Sequence, residues 1–85
     1  MAAVVIGVDP AKRSNTIEVI DSDENVLLMA RFENSSADYR KMRALVKRWP
    51  DRTWAVEGAT GVGLNLAQRL VSDGEHVVDV PSKLS

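Results

Sequence analysis

A change of hydrophobic period partway along the chain narrows its fold more than any other feature. Up to about residue 32 the apolar residues alternate, as in strands with one covered face. From Tyr39 onward they recur every three or four residues, as on one side of a helix. Val4 to Asp9 reads as a short β-branched strand ended by Asp9-Pro10. Thr16 to Asp21 reads as a second strand, reached by a tight connection through Ala11 to Asn15, and Val26 to Phe32 as a third, after the polar turn Ser22-Asp23-Glu24-Asn25. Connections this short predict an antiparallel meander.

A helix follows, with Ser35 or Ser36 as its N-cap and Asp38 in the first turn, where a negative charge suits the helix dipole. Tyr39, Met42, Leu45, Val46 and Trp49 fall on one face, and Pro50 is expected to stop the helix. Thr53 to Glu57 reads as a fourth strand. The loop Gly58 to Gly63 leads to a second helix whose apolar face is Leu64, Ala67, Leu70 and Val71, ended by Ser72-Asp73-Gly74. His76 to Val80 reads as a fifth strand, closing at Pro81. Trp49 and Trp54 are expected in the core. The order strand, strand, strand, helix, strand, helix, strand predicts an α/β domain: a mixed sheet with right-handed crossovers and helices packed on it. Ser82-Lys83-Leu84-Ser85 reads as the start of a further element, and no final helix covers the remaining sheet face, so the chain is expected to be a fragment of one domain.

Composition removes several classes of function. The 85 residues are near the low end for a self-sufficient core, and 45% hydrophobic with 27% charged residues is ordinary for a soluble globular protein. There is no cysteine, hence no disulfide or thiolate metal site. No apolar run approaches membrane-spanning length, and the N-terminus lacks a signal-peptide layout, so no membrane partner is expected and an intracellular protein is the default. A net charge of −1 gives no global case for a nucleic-acid partner. Locally, Arg40, Lys41, Arg43, Lys47, Arg48 and Arg52 face only Asp51, which reads either as a solvated helix face or as a docking surface.

The chemistry-bearing residues are Asp9 and Glu57. Alternation puts Val5, Gly7 and Asp9 on one face of the first strand, and Ala55 and Glu57 on one face of the fourth. Singly, each acid reads as a turn or strand-end residue. Together, each behind a small residue, they read as a pair that converges if the two strands are neighbours. Hard oxygen ligands of this kind favour Mg²⁺ or Mn²⁺ over zinc and suit phosphodiester cleavage. The Gly58 to Gly63 loop is neither a dinucleotide fingerprint nor a P-loop and is expected to form a tight strand-to-helix turn, though a phosphate at the helix start is compatible with it. Lys12 reads as a phosphate neighbour of Asp9 or as a solvated side chain. His76 has no assigned role, and Ser14, Ser35 and Ser36 lack a recognisable base.

Gly7-Val8-Asp9-Pro10-Ala11-Lys12, then Ala55-Val56-Glu57-Gly58-Ala59-Thr60-Gly61 with Gly63-Leu64, then Leu70, Gly74 and Val77-Val78-Asp79-Val80-Pro81, resemble the N-terminal part of DEDD-type insertion-sequence transposases, the recombinases related to the Piv invertase. The resemblance spans nearly the whole chain. It implies a RuvC-like domain of ribonuclease H fold, with strands and helices in the order β-β-β-α-β-α-β and the final helix lacking. Of that family's four acids, the first matches Asp9 and the second Glu57. The last two belong to a Lys-Thr-Asp-x-x-Asp-like segment that this sequence does not contain. Asp79 falls on the fifth strand, where the family varies.

The resemblance further implies bound Mg²⁺ (or Mn²⁺), DNA as partner, a homo-oligomeric parent in the bacterial cytoplasm, a C-terminal domain with a serine used in strand exchange and, in some members, a guide RNA. Lys12 and Thr60 would lie near substrate phosphates, with Arg43 and Lys47 as further contacts on the basic helix. With two of four carboxylates, weak metal binding and no catalysis are expected. Rival readings are a RuvC-type Holliday-junction resolvase, a sugar-kinase or actin-like ATPase fragment, and a non-catalytic nucleic-acid-binding or assembly module. The ATPase reading suffers because Pro10-Ala11-Lys12-Arg13 is not glycine-rich.

Overall fold

The computed structural model describes residues 3–81. Strands β1 (Val4–Pro10), β2 (Ser14–Asp21) and β3 (Val26–Glu33) lead into helix α1 (Ser36–Val46), strand β4 (Arg52–Glu57), helix α2 (Leu64–Ser72) and strand β5 (Val77–Val80). The fold is α/β with a mixed five-stranded sheet and two helices, in the element order that the periodicity predicts. The terminal segment from Ser82, read from sequence as the start of a further element, lies outside the described residues.

The sheet order is β3-β2-β1-β4-β5. Short connections force β1, β2 and β3 into antiparallel pairs, whereas the crossovers through α1 and α2 return β4 and β5 parallel to β1. The β1–β2 turn is closed by the Ala11 N–H donating to the Ser14 carbonyl at 2.8 Å. At the β2–β3 turn the Asp21 carboxylate accepts from the N–H groups of Asp23 and Asn25, each at 2.9 Å. Those bonds, that from Asn25 foremost, hold the Asp21 carboxyl below its ordinary value.

Both helices cover one face of the sheet. Val4, Ile6 and Val8 of β1, Ile17 and Val19 of β2, and Trp54 and Val56 of β4 meet Tyr39, Met42 and Val46 of α1 and Ala67 and Leu70 of α2. Trp54 is fully buried, as expected, and Trp49 packs at the margin of this core. Val5, Val26, Met29 and Val78 remain exposed.

Three sequence expectations shift in detail. Helix α1 ends at Val46, not at Pro50, because the residue ahead of a proline is driven out of the helical region. Arg48 Nε donates to the Leu45 carbonyl at 3.2 Å, satisfying one of the last-turn acceptors of the helix, and Arg52 Nη1 donates to the Trp49 carbonyl beyond it at 3.0 Å. In α2 the inward face is Leu66, Ala67 and Leu70, while Leu64 and Val71 are 39% and 58% exposed. β5 begins at Val77 rather than His76, although the His76 carbonyl still accepts from the Trp54 N–H at 2.9 Å.

The Gly58 to Gly63 loop is the tight turn that its composition predicts. The N–H groups of Gly61 and Gly63 both donate to the Gly58 carbonyl at 2.9 Å, and Gly58 itself adopts a φ of 65°. At Gly63 a Cβ would stand 2.8 Å from Val56 Cγ1 and 3.1 Å from the Glu57 carbonyl oxygen. Gly63→Ala is therefore expected to destabilise the domain by about 1–3 kcal/mol, through overpacking against β4. Chemical denaturation measures this, and an unchanged midpoint would show that the turn yields.

Candidate metal centre

Burial of Val4, Ile6 and Val8 turns Val5, Gly7 and Asp9 to the uncovered face of β1, and burial of Trp54 and Val56 turns Ala55 and Glu57 to the same face of β4. β1 and β4 are parallel neighbours, with Gly7 beside Ala55 and Val8 beside Val56. The next residue on each strand is an acid, Asp9 and Glu57. Adjacent strands run about 4.8 Å apart, so the two positions stand side by side at the C-terminal edge of the sheet. The small residues ahead of them leave that face open: a Cβ at Gly7 would meet only the Glu18 carbonyl oxygen, at 3.7 Å.

Both acids line a cleft of about 380 Å³ whose walls also include Pro10, Thr60, Gly61 and Asp79. Thr60 thus lines the same cleft as the two acids. Lys12 is not among the residues of this cleft; it lines a second one on the helix-covered side, because the three-residue turn carries it past the end of β1. Asp79 has a structural part here. Its Oδ1 accepts the Ala59 N–H at 3.0 Å, which tethers the turn after β4 to β5. Among the described residues no three or more His, Cys, Asp or Glu side chains form a group that could hold a metal ion. A pair of carboxylates still suits Mg²⁺, which commonly takes one or two and keeps water in its other positions. His76 is exposed at the start of β5 and belongs to neither cleft.

The basic segment divides into two populations. Arg43 and Arg52 converge on Glu75, whose side chain is only 5% exposed. Glu75 accepts from Arg52 Nε and Nη2 at 2.9 and 2.8 Å, from Arg43 Nη2 at 3.0 Å and from the Trp54 indole N–H at 2.7 Å. Arg43 also lies 3.6 Å from the Asp73 carboxylate, which accepts the Tyr39 hydroxyl at 2.6 Å. Burial and the Asp73 carboxylate push the Tyr39 phenol well above its ordinary value. Arg43 is thereby a clamp between α1 and the segment leading to β5. Lys47, at the C-cap of α1, is exposed, as are Arg40 and Arg48.

No protein-family model and no curated protein matches the chain. Among the described residues no helix is long and apolar enough to cross a membrane.

Glu75 is the acid that sequence reasoning missed. Its partners lie 21 to 32 positions away, beyond any local pattern. The Arg52 hydrogen bonds, aided by those of Trp54 and Arg43 and opposed by burial, lower its carboxyl to about 2 from 4.5. A carboxyl lowered on folding contributes stability that is present above the unfolded value and lost as pH falls toward the folded one. Wild-type stability is therefore expected to decline from about pH 4.5 to about pH 2. Glu75→Gln should cost about 3 kcal/mol at pH 7, since two guanidinium groups lose their carboxylate, and should flatten that decline. Urea titrations at pH 7 and pH 3 measure both effects.

Proposed function

We propose that this chain is a RuvC-like domain of ribonuclease H fold from a DEDD-type transposase, in which Asp9 and Glu57 hold Mg²⁺ or Mn²⁺ against a DNA phosphodiester. The observation that carries this reading is the parallel pairing of β1 with β4, which stands an Asp and a Glu side by side over an open cleft. The antiparallel β1-β2-β3 meander, continued by parallel β4 and β5, supports the same reading. So do the glycine turn and Thr60 in the wall of the cleft.

A bound divalent cation would supply Lewis-acid activation of a phosphodiester oxygen. The chain's own residues orient and bind. Asp9 and Glu57 provide anionic oxygens from two rigid strand ends, and the Thr60 hydroxyl donates to a phosphate oxygen in the cleft. Asp79, through the Ala59 N–H, holds the turn that carries Thr60. Two carboxylates neutralise one cation without the other two acids of the family pattern. Affinity is accordingly low, and this chain by itself is not expected to cleave DNA.

The exposed cations of α1 favour a second reading, a nucleic-acid docking face without chemistry. Arg40, Lys47 and Arg48 have no carboxylate within ion-pairing distance among the described residues. The double variant Arg40→Glu, Lys47→Glu should then weaken binding to a duplex oligonucleotide and reduce the salt slope by about 2. Unchanged affinity would mark the face as merely solvated.

The metal reading is tested by calorimetric titration of Mn²⁺ into the chain and into Asp9→Asn and Glu57→Gln. Weak binding is expected in the wild type, with a loss of about tenfold or more in each variant, equivalent to about 1.4 kcal/mol. Equal binding in all three proteins would contradict it.

A further inference from the structure

A second cleft, of about 390 Å³, opens on the helix-covered side between the β1–β2 turn, the start of α1 and the first turns of α2. Lys12 stands on one wall, Arg69 and Asn65 on the other, and Ser36 between them. Both walls are braced. Asn15, only 6% exposed, donates from Nδ2 to Asn34 Oδ1 at 2.6 Å. Asn34 in turn donates to the carbonyls of Ala11 and Lys12 at 3.2 and 3.1 Å, and its N–H to that of Arg13 at 2.9 Å. The turn bearing Lys12 is thereby pinned to the β3–α1 junction.

On the facing wall the Arg69 guanidinium lies 4.0 Å from the centroid of the Tyr39 ring, and Tyr39 is anchored through its hydroxyl to Asp73. Stacking a guanidinium flat on a ring occupies its face and leaves its N–H edge available for hydrogen bonds. One of those N–H groups already approaches Ser36 Oγ, at 3.5 Å. Neither Lys12 nor Arg69 has a carboxylate within ion-pairing distance among the described residues. Glu33 also lines the cleft, but the two cations leave the lining net positive.

We infer that this cleft binds the phosphate group of a nucleotide. An ammonium, a guanidinium edge, a hydroxyl and a carboxamide offer donors from several directions, which suits an anion with several acceptor oxygens. The cavity is larger than a phosphate requires, and its floor of Phe32, Met42 and Leu66 can take the less polar remainder of the nucleotide. Val62, 71% exposed, lines both this cleft and that of Asp9 and Glu57, so a nucleic-acid strand crossing Val62 would reach both. The anion site stands on its own geometry; only its occupation by a strand, rather than by a free nucleotide, rests on the proposed transposase reading.

The test is a two-dimensional amide NMR titration of the full chain with inorganic phosphate, with thymidine monophosphate and with a short oligothymidylate. Saturable shifts are expected at Lys12, Ser36, Asn65 and Arg69 with all three ligands. A strand site predicts that the oligonucleotide binds about tenfold more tightly than the monophosphate; equal affinities would support the anion site and assign it to a free nucleotide. Lys12→Gln and Arg69→Gln should each weaken binding about fivefold or more, consistent with loss of a charged hydrogen bond. Lys12 is exposed and outside the core, so its variant remains informative if Arg69→Gln loosens Tyr39. Asp9→Asn should leave phosphate binding unchanged, and Lys12→Gln should leave Mn²⁺ affinity unchanged, which separates this site from the metal pair. Absence of saturable shifts at these residues, or identical affinity in Lys12→Gln, would overturn the inference.

Discussion

The parallel pairing of β1 with β4 is the contact on which the rest of the molecule depends. β1 is the middle strand, held by the meander on one side and by β4 on the other. Ile6 beside Trp54 and Val8 beside Val56 form the centre of the core beneath both helices. The same register decides the opposite face, where Gly7 and Ala55 precede Asp9 and Glu57. A slip of one residue would bury the acids and expose the core together, so the hydrophobic effect that fixes the register also aligns the carboxylates.

Trp54 links this pairing to the charge distribution. Its ring is wholly buried beneath the helices, and its indole N–H reaches Glu75, where Arg43 and Arg52 also meet. A buried carboxylate with this many donors is electrostatically costly to disturb, and it joins α1, β4 and the approach to β5 in one network. The positive segment of the sequence is thus divided by the fold: two arginines serve the interior, while Arg40, Lys47 and Arg48 face solvent.

What the sequence makes legible follows from range. Alternation in Val4, Ile6 and Val8 and the three-to-four spacing of Tyr39, Met42 and Val46 are local signals, and each of these residues is in the core. The identity of the neighbouring strands is not local. It rests on a crossover, and with it the meeting of Asp9 and Glu57. Lys12 follows Asp9 by three positions, yet a three-residue turn suffices to carry it to a cleft on the other side of the sheet edge. Arg43 resembled its exposed neighbours until Glu75, 32 residues later, claimed it. Leu64 and Val71 fit a helical stripe, but the close approach of Gly63 to Val56 sets the rotation of α2 so that Leu66 faces inward instead.

The sheet edge beyond Val8 and Val56 consequently carries two chemically distinct clefts, one acidic and one basic, that share Val62. The acidic one is proposed to gather a divalent cation. Paramagnetic broadening of amide resonances by substoichiometric Mn²⁺ would locate that cation. Loss of signal centred on Val8, Asp9, Glu57 and Gly58, with β3 untouched, is the result predicted. Broadening centred instead on the exposed acids of the β2–β3 turn, Asp21, Asp23 and Glu24, or spread evenly over the surface, would contradict it.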